Sequence, residues 1–348
     1  MESRERWVDY AKAIGILLVV YGHVARGLFN AGIDMPLETY HLVESIIYTF
    51  HMPLFFFLSG LFFYASFLKY GARKFIFRKI DVVVYPYLLW SIFQGLVEAY
   101  LSSYTNYIIT YSEVFSLLWF PRAHFWFLYA LFSVFVFASL IFTFTAKKYV
   151  LPVFLASIAL YMFSRMLPSW VLFDFISDNF VFFMLGIVFS LYAWAERMSS
   201  KPLLCAIFVA FVVGQAVFHG YFGLNFEYRG FGSLFLASIS ILTVVSLSML
   251  FDPKRARLLA FVGSSSMGIY LMHVLAGSGI RVVLKSFLGV ESYIVHLILG
   301  CGVGIFAPII ALLIIQRFKI PYILSAPIYA WGQALYDKMF AGRPRSSS

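Results

Sequence analysis

Apolar residues come in runs of about 20, separated by short polar or basic links, and the runs recur along the whole chain. Most of them are hydrophobic on every side, with neither the alternation of a half-buried strand nor the narrow stripe of a surface helix. About 20 apolar residues in helical form cross a bilayer, and backbone in hydrocarbon must satisfy its own hydrogen bonds, so the runs read as membrane helices. Ten are predicted, at 8–29, 42–68, 80–101, 125–145, 149–167, 178–196, 202–219, 232–251, 258–280 and 292–316. The fold class expected is all-α, a polytopic integral membrane protein of about ten helices.

The pattern changes near the end. Residues 317–348 are expected to form a cytoplasmic tail outside the membrane domain of residues 1–316. Its first part, 318–340, reads as an amphipathic segment lying on the membrane, interrupted by Pro321 and Pro327, and AGRPRSSS at 341–348 reads as disordered. At the other end Asp9 and Lys12 interrupt the first run, so it is expected to be a retained helix and not a cleaved signal peptide. No internal repeat is evident, so an inverted-repeat transporter has no support.

Composition agrees with this reading. Hydrophobic residues make up 62% of the chain and charged residues 12%, against about 25% in soluble domains. The net charge of +10 could point to nucleic acid, but the cations sit in the links, where they report topology instead. With both termini on the cytoplasmic side, that side collects Arg4, Arg6, Lys69, Arg73, Lys74, Arg78, Lys79, Lys147, Lys148, Arg197, Lys201, Lys254, Arg255, Arg257, Arg317, Lys319, Lys338, Arg343 and Arg345. The other side holds Arg26, Arg122, Arg165, Arg229, Arg281 and Lys285. Cys205 and Cys301 lie inside apolar runs and read as small packing residues, with neither a disulfide framework nor metal spacing.

Candidate chemistry lies where polar residues interrupt lipid-facing sequence, because an ionisable group at mid-membrane costs roughly 2.5–3.5 kcal/mol on insertion scales. The first run carries Asp9, Lys12 and His23. Lys12 and His23 share a helix face roughly 16 Å apart along the axis, and Asp9 is within ion-pair reach of Lys12. Gly15 and Gly22 would admit close neighbours. A plain alternative is an ion pair at the helix start and a histidine satisfied by packing. In the second run Pro53 deprives the Thr49 carbonyl of its helical partner beside His51, which produces either a cavity-lining break or a simple kink. The five cations between Lys69 and Lys79 fit topology, lipid headgroups or a polyphosphate ligand. His124 to Leu128 resembles an interfacial aromatic belt. The segment Gly263 to His273, with three serines, Tyr270 and His273, is polar enough to line a cavity. The seven histidines all fall in the outer half or near mid-membrane on this topology, which would place proton transfer there.

Two blocks carry a resemblance. Arg6-Trp7-Val8-Asp9-Tyr10-Ala11-Lys12-Ala13-Ile14-Gly15-Ile16 ending in Tyr21-Gly22-His23, and His51-Met52-Pro53-Leu54-Phe55-Phe56-Phe57-Leu58-Ser59-Gly60, resemble the signatures of the membrane acyltransferase-3 family. Within it the chain is most similar to the fucose 4-O-acetylase-like branch. Tyr85-Pro86-Tyr87, Trp126-Phe127-Leu128 and Gly263 to His273 follow in the expected order. The resemblance implies ten core helices and transfer of an acyl group, usually acetyl, from cytoplasmic acyl-CoA to a hydroxyl of an envelope, exopolysaccharide or lipid-linked sugar. It implies a stand-alone transferase of the plasma or inner membrane, using acetyl-CoA or another acyl-CoA as co-substrate and no metal.

Carried over residue by residue, His23 takes the essential histidine position and Lys12 a basic position that is Arg in many relatives. Lys79, with Arg78 beside it, falls near the first position of the family's paired-arginine motif for CoA phosphate. Val82 stands at the second, next to Asp81, so phosphate contacts are expected from Arg73, Lys74, Arg78 and Lys79. The expected mechanism uses His23 as general base, with Asp9, Lys12, His51 and Tyr270 as supporting candidates and Trp126, Ser266 and His273 on the acceptor side. A covalent acyl-histidine is the other route. Partners are then acyl-CoA, a sugar acceptor and membrane lipids. A transporter of lipid-linked saccharides without chemistry, or a regulator that has kept only the fold, are the competing classes.

Overall fold

The computed structural model describes residues 6–102, 110–198 and 200–340, with side chains to residue 335. The expected disorder of 341–348, with Arg343 and Arg345, and the cation Arg4 fall outside them. In order the helices are α1 Arg6–Asn30, α2 Leu37–Leu61, α3 Phe63–Lys79, α4 Tyr85–Tyr100, α5 Tyr111–Val114, α6 Trp126–Phe144, α7 Val150–Met162 and α8 Val171–Leu191. They continue as α9 Ala195–Met198, α10 Lys201–Gln215, α11 Phe231–Met249, α12 Arg257–Ser264, α13 Ser266–Val282, α14 Tyr293–Arg317 and α15 Ile328–Phe340. Single π-helical stretches at Ile80–Val84, Ala216–Tyr221 and Val283–Phe287 extend α4, α10 and α13. No strand occurs among the described residues. The protein is an all-α polytopic membrane protein, as the apolar runs require.

Nine helical stretches among the described residues are long and apolar enough to cross a membrane, counting α3–α4 as one. The fifth expected span, 149–167, is not among them and is shorter than predicted. Its helix α7 has 13 residues, about 20 Å at 1.5 Å per residue. The aromatic contacts show where it goes. Trp126 stacks on Phe175, and further along the same pair of helices Phe135 meets Phe183 and Phe137 meets Phe180. Helices α6 and α8 therefore run parallel, and the chain returns between them through α7 and its flanking 3-10 turns, Lys147–Tyr149 and Ser164–Met166.

Two other expectations change. The basic stretch 69–79 is not a loop but the body of α3, bent at Gly71, whose φ of 70° suits a residue without a Cβ. The run at 258–280 is two helices, broken at Ser265. Ser264 bonds back to the Phe261 carbonyl there, the local competition that makes serines poor helix interior.

Helix α1 is central and touches α2, α11, α12, α13 and α14. The α2–α8 crossing is closest at Gly60 and Gly186. A Cβ on Gly60 would lie 2.0 Å from the Phe183 carbonyl oxygen, and one on Gly186 2.1 Å from that of Phe57. Small residues are the usual means of bringing membrane helices into backbone contact. The α3 end of the bundle is filled by Phe63, Phe75, Phe135 and Phe183 in edge and stacked contacts.

The segment after α14 folds against α3 and α4. The Tyr85 hydroxyl donates to the Tyr322 carbonyl at 2.7 Å and Trp90 Nε1 to the Ile323 carbonyl at 2.9 Å. Asp81 accepts from the backbone N–H of Ala326 through its carbonyl and from that of Tyr329 through its carboxylate. Tyr329 packs on Phe77 with ring centroids 5.0 Å apart.

Candidate functional site

A cavity of about 400 Å³ opens where the later turns of α1, the middle of α2, the start of α6, most of α13 and the first turn of α14 converge. Five of the seven histidines line it: His23, His51, His124, His273 and His296. Helical spacing does part of this, since Tyr270, His273, Val274, Gly277 and Arg281 recur three and four apart on one face of α13. The rest is tertiary: His124 sits two residues ahead of Trp126, where α6 begins, in a 3-10 turn that opens with Ala123 at φ 45°.

Three imidazoles form a triangle. The ring of His23 is 5.1 Å from that of His273 and 5.6 Å from that of His124, and the latter two are 4.9 Å apart. Hydrogen bonding fixes several tautomers. His273 Nδ1 faces the carbonyl oxygens of Ile269 and Tyr270 at 3.1 and 2.8 Å. Carbonyls only accept, so Nδ1 carries the proton and Nε2 a lone pair. Nε2 is buried without a protein partner. By the same logic His51 donates from Nδ1 to Ile47, and His296 donates from Nε2 to Val290, leaving its buried Nδ1 free to accept. Both ring nitrogens of buried His124 lack a protein partner. A buried polar group without a partner costs about 1–3 kcal/mol, so the cluster is expensive for a merely structural core and suited to moving protons. The Tyr270 hydroxyl donates to the His124 carbonyl, which holds that turn in place.

The rim is cationic. Arg26 pairs with Glu44 at 2.8 Å and lies over the Tyr48 ring, 4.1 Å from its centroid, and Tyr40 also donates to Glu44. Arg281 donates to the Gly27 carbonyl.

The structure brings His23, His51, Trp126, Tyr270 and His273 together around this cavity and leaves other sequence candidates elsewhere. Lys12 and Asp9 form a 3.7 Å ion pair nearer the start of α1, where Gly263 of α12 packs on the Asp9 backbone. Ser266 is half-buried at the start of α13, a turn from Tyr270 and outside the cavity lining. Arg73, Lys74 and Arg78 are exposed on α3. Lys79 turns inward, its Nζ 4.2 Å from the Phe135 ring centroid, apart from the exposed three. Val82 is exposed, and its neighbour Asp81 is occupied with the C-terminal segment. Among the described residues no cluster of His, Cys, Asp and Glu is arranged to hold a metal ion.

Sequence reasoning missed His124, His296, Arg26 and Tyr48 as cavity residues. His124 was legible only as part of an aromatic belt. The one available signal was the confinement of all seven histidines to one side of the predicted topology.

These features define a polytopic membrane protein with an imidazole-lined chamber toward one end of its helix bundle. A family model described as an acyltransferase domain, that of the acyltransferase-3 family, matches residues 5–313, and the chain belongs to this family. It is a membrane acyltransferase. No curated protein and no solved structure matches the chain.

Proposed function

We propose that the protein transfers an acetyl or other acyl group from cytoplasmic acyl-CoA to a sugar hydroxyl, with His23 as general base. The observation that supports this is the position of His23 on an open cavity, faced by two more imidazoles that carry unpartnered nitrogens. The hydroxyl oxygen attacks the thioester carbonyl as His23 takes its proton. The tetrahedral oxyanion needs a donor, and the Tyr48 hydroxyl, buried on the cavity wall without a protein partner, would supply it. Collapse breaks the C–S bond, His23 returns the proton to the departing sulfur, and CoA leaves as the thiol.

The cavity and the cations of α3 lie toward opposite ends of α2. From His51 to Phe63 the helix rises about 18 Å, and no residue of α3 or α4 lines the cavity. A long donor suits this arrangement. Its phosphates would meet Arg73, Lys74 and Arg78, and its pantetheine arm would pass the Phe55 and Phe127 rings, which lie 5.9 Å apart between the two regions. The motif similarity to the fucose 4-O-acetylase-like branch favours a saccharide acceptor, polymeric or lipid-linked. The distribution of cations favours a plasma or inner membrane with both chain ends in the cytoplasm.

The test is acetyl transfer from labelled acetyl-CoA in purified membranes. His23→Ala should abolish transfer while leaving insertion and melting behaviour intact. Full transfer by that variant would remove His23 from the chemistry, and no acetyl-CoA consumption by the wild type would favour a transporter.

A further inference from the structure

A second, smaller chamber of about 160 Å³ adjoins the histidine cavity, and Tyr48, Met52 and Trp126 line both. Its volume corresponds to about five water molecules at about 30 Å³ each, the scale of one sugar ring's hydroxyl-bearing edge. We propose that it is the acceptor subsite and that it seats a single neutral pyranose ring, presenting one hydroxyl to His23. The inference rests on the saccharide acceptor proposed above and names where and by which groups it is held.

The lining has the chemistry of a sugar site. A pyranose offers an apolar C–H face and a rim of hydroxyls, so it is recognised by an aromatic platform together with fixed polar groups. Trp126 stands at the junction with its ring stacked on Phe175 at 5.8 Å and 16°. Tyr48 and Phe226, 5.3 Å apart, form a second aromatic wall. Asp178 supplies the polar end. Its Oδ2 takes both Arg165 and Arg229, each at 3.2 Å, while its Oδ1 is buried without a protein partner. A carboxylate so anchored is held rigidly and keeps one oxygen to accept from a hydroxyl, the stronger charge-assisted kind of hydrogen bond. Tyr161 donates to Ser233 at 2.9 Å, and Ser233 is otherwise taken up by the N–H and carbonyl of Gly230, so the Tyr161 oxygen is left as a further acceptor on that wall.

Hydrogen-bond polarity selects the class of ligand. Asp178 is overcompensated by Arg165 and Arg229, so the chamber has no surplus anion to attract a cation. Its spare carboxylate oxygen can only accept, so a hydroxyl pairs with it, whereas a carboxylate or phosphate oxygen, itself an acceptor, does not. A neutral hexose or deoxyhexose remains.

The experiment is saturation-transfer NMR on the full chain in nanodiscs, without acyl-CoA, using methyl glycosides of glucose, galactose, mannose, fucose and glucuronic acid. At least one neutral glycoside should bind, and the glucuronide should not. Asp178→Asn and Trp126→Ala should each weaken that binding at least tenfold. A melt identifies any variant that unfolds; Asp178→Asn also disturbs two ion pairs, so Trp126→Ala, at a half-buried residue, then carries the test. Unchanged affinity in folded Trp126→Ala and Asp178→Asn, preference for the glucuronide, or no binding of any glycoside by the wild type overturns the proposal. Acetyl transfer to the bound glycoside is scored separately: binding that follows these variants without any transfer would sink the acyltransferase chemistry proposed for His23 and leave the subsite standing.

Discussion

At the scale of residues, His124 is the informative position. It is buried, touches both His23 and His273, and has no protein partner for either ring nitrogen. A side chain retained for packing alone would be better replaced by phenylalanine, which fills a similar space without an unsatisfied polar atom. His124→Phe should therefore melt no lower than the wild type, yet transfer acyl groups at least about 10²-fold more slowly, the lower range for loss of proton-transfer catalysis. Parallel thermal melts and transfer assays check this, and a fully active variant would leave His124 as packing. The sequence could not reveal His124 because its neighbours Phe125 and Trp126 have the composition of an interfacial belt. Its role depends on α13, about 150 residues later, whose Tyr270 hydroxyl bonds to its carbonyl. His23 was legible because an imidazole inside an apolar run on its own asks for an explanation.

At the scale of elements, the α2–α8 crossing depends on two absent methyl groups. Gly60→Ala would drive a Cβ to 2.0 Å from a backbone oxygen, which no rotamer change relieves. Overpacking of this kind costs about 1–3 kcal/mol or more, and Gly60→Ala should lower the melting temperature clearly. Gly302→Ala on α14 meets nothing within 4 Å and should melt like the wild type or slightly higher. Equal melting of the two variants would contradict the crossing. Elements were the most legible level, because nine helical stretches among the described residues are long and apolar enough to span a membrane. The departures have local causes. Helix α7 is short because Lys147 and Ser164 begin 3-10 turns at its two ends. The 258–280 run divides at consecutive serines. The basic link is helical because nothing between Phe63 and Lys79 breaks a helix except Gly71.

At the scale of the whole molecule, the chain keeps its imidazoles and its exposed cations at separate ends of α2. Replacing Arg73, Lys74 and Arg78 with glutamine should raise the KM for acyl-CoA about tenfold or more with little change in kcat, measured in detergent so that orientation has no effect. An unchanged KM there would make α3 a topology device. What the sequence withheld at this scale was the course of the chain after α14. An amphipathic stretch with two prolines reads as a segment lying on the membrane, and its attachment to Asp81, Tyr85 and Trp90 cannot be inferred from either segment separately. That attachment has a consequence for biogenesis. Trp90 waits 233 residues for the carbonyl it bonds, so the cation-bearing face is the last part of the protein to close during synthesis. A ribosome stalled near residue 318 would hold a nascent chain with every histidine already made and its strap still untranslated.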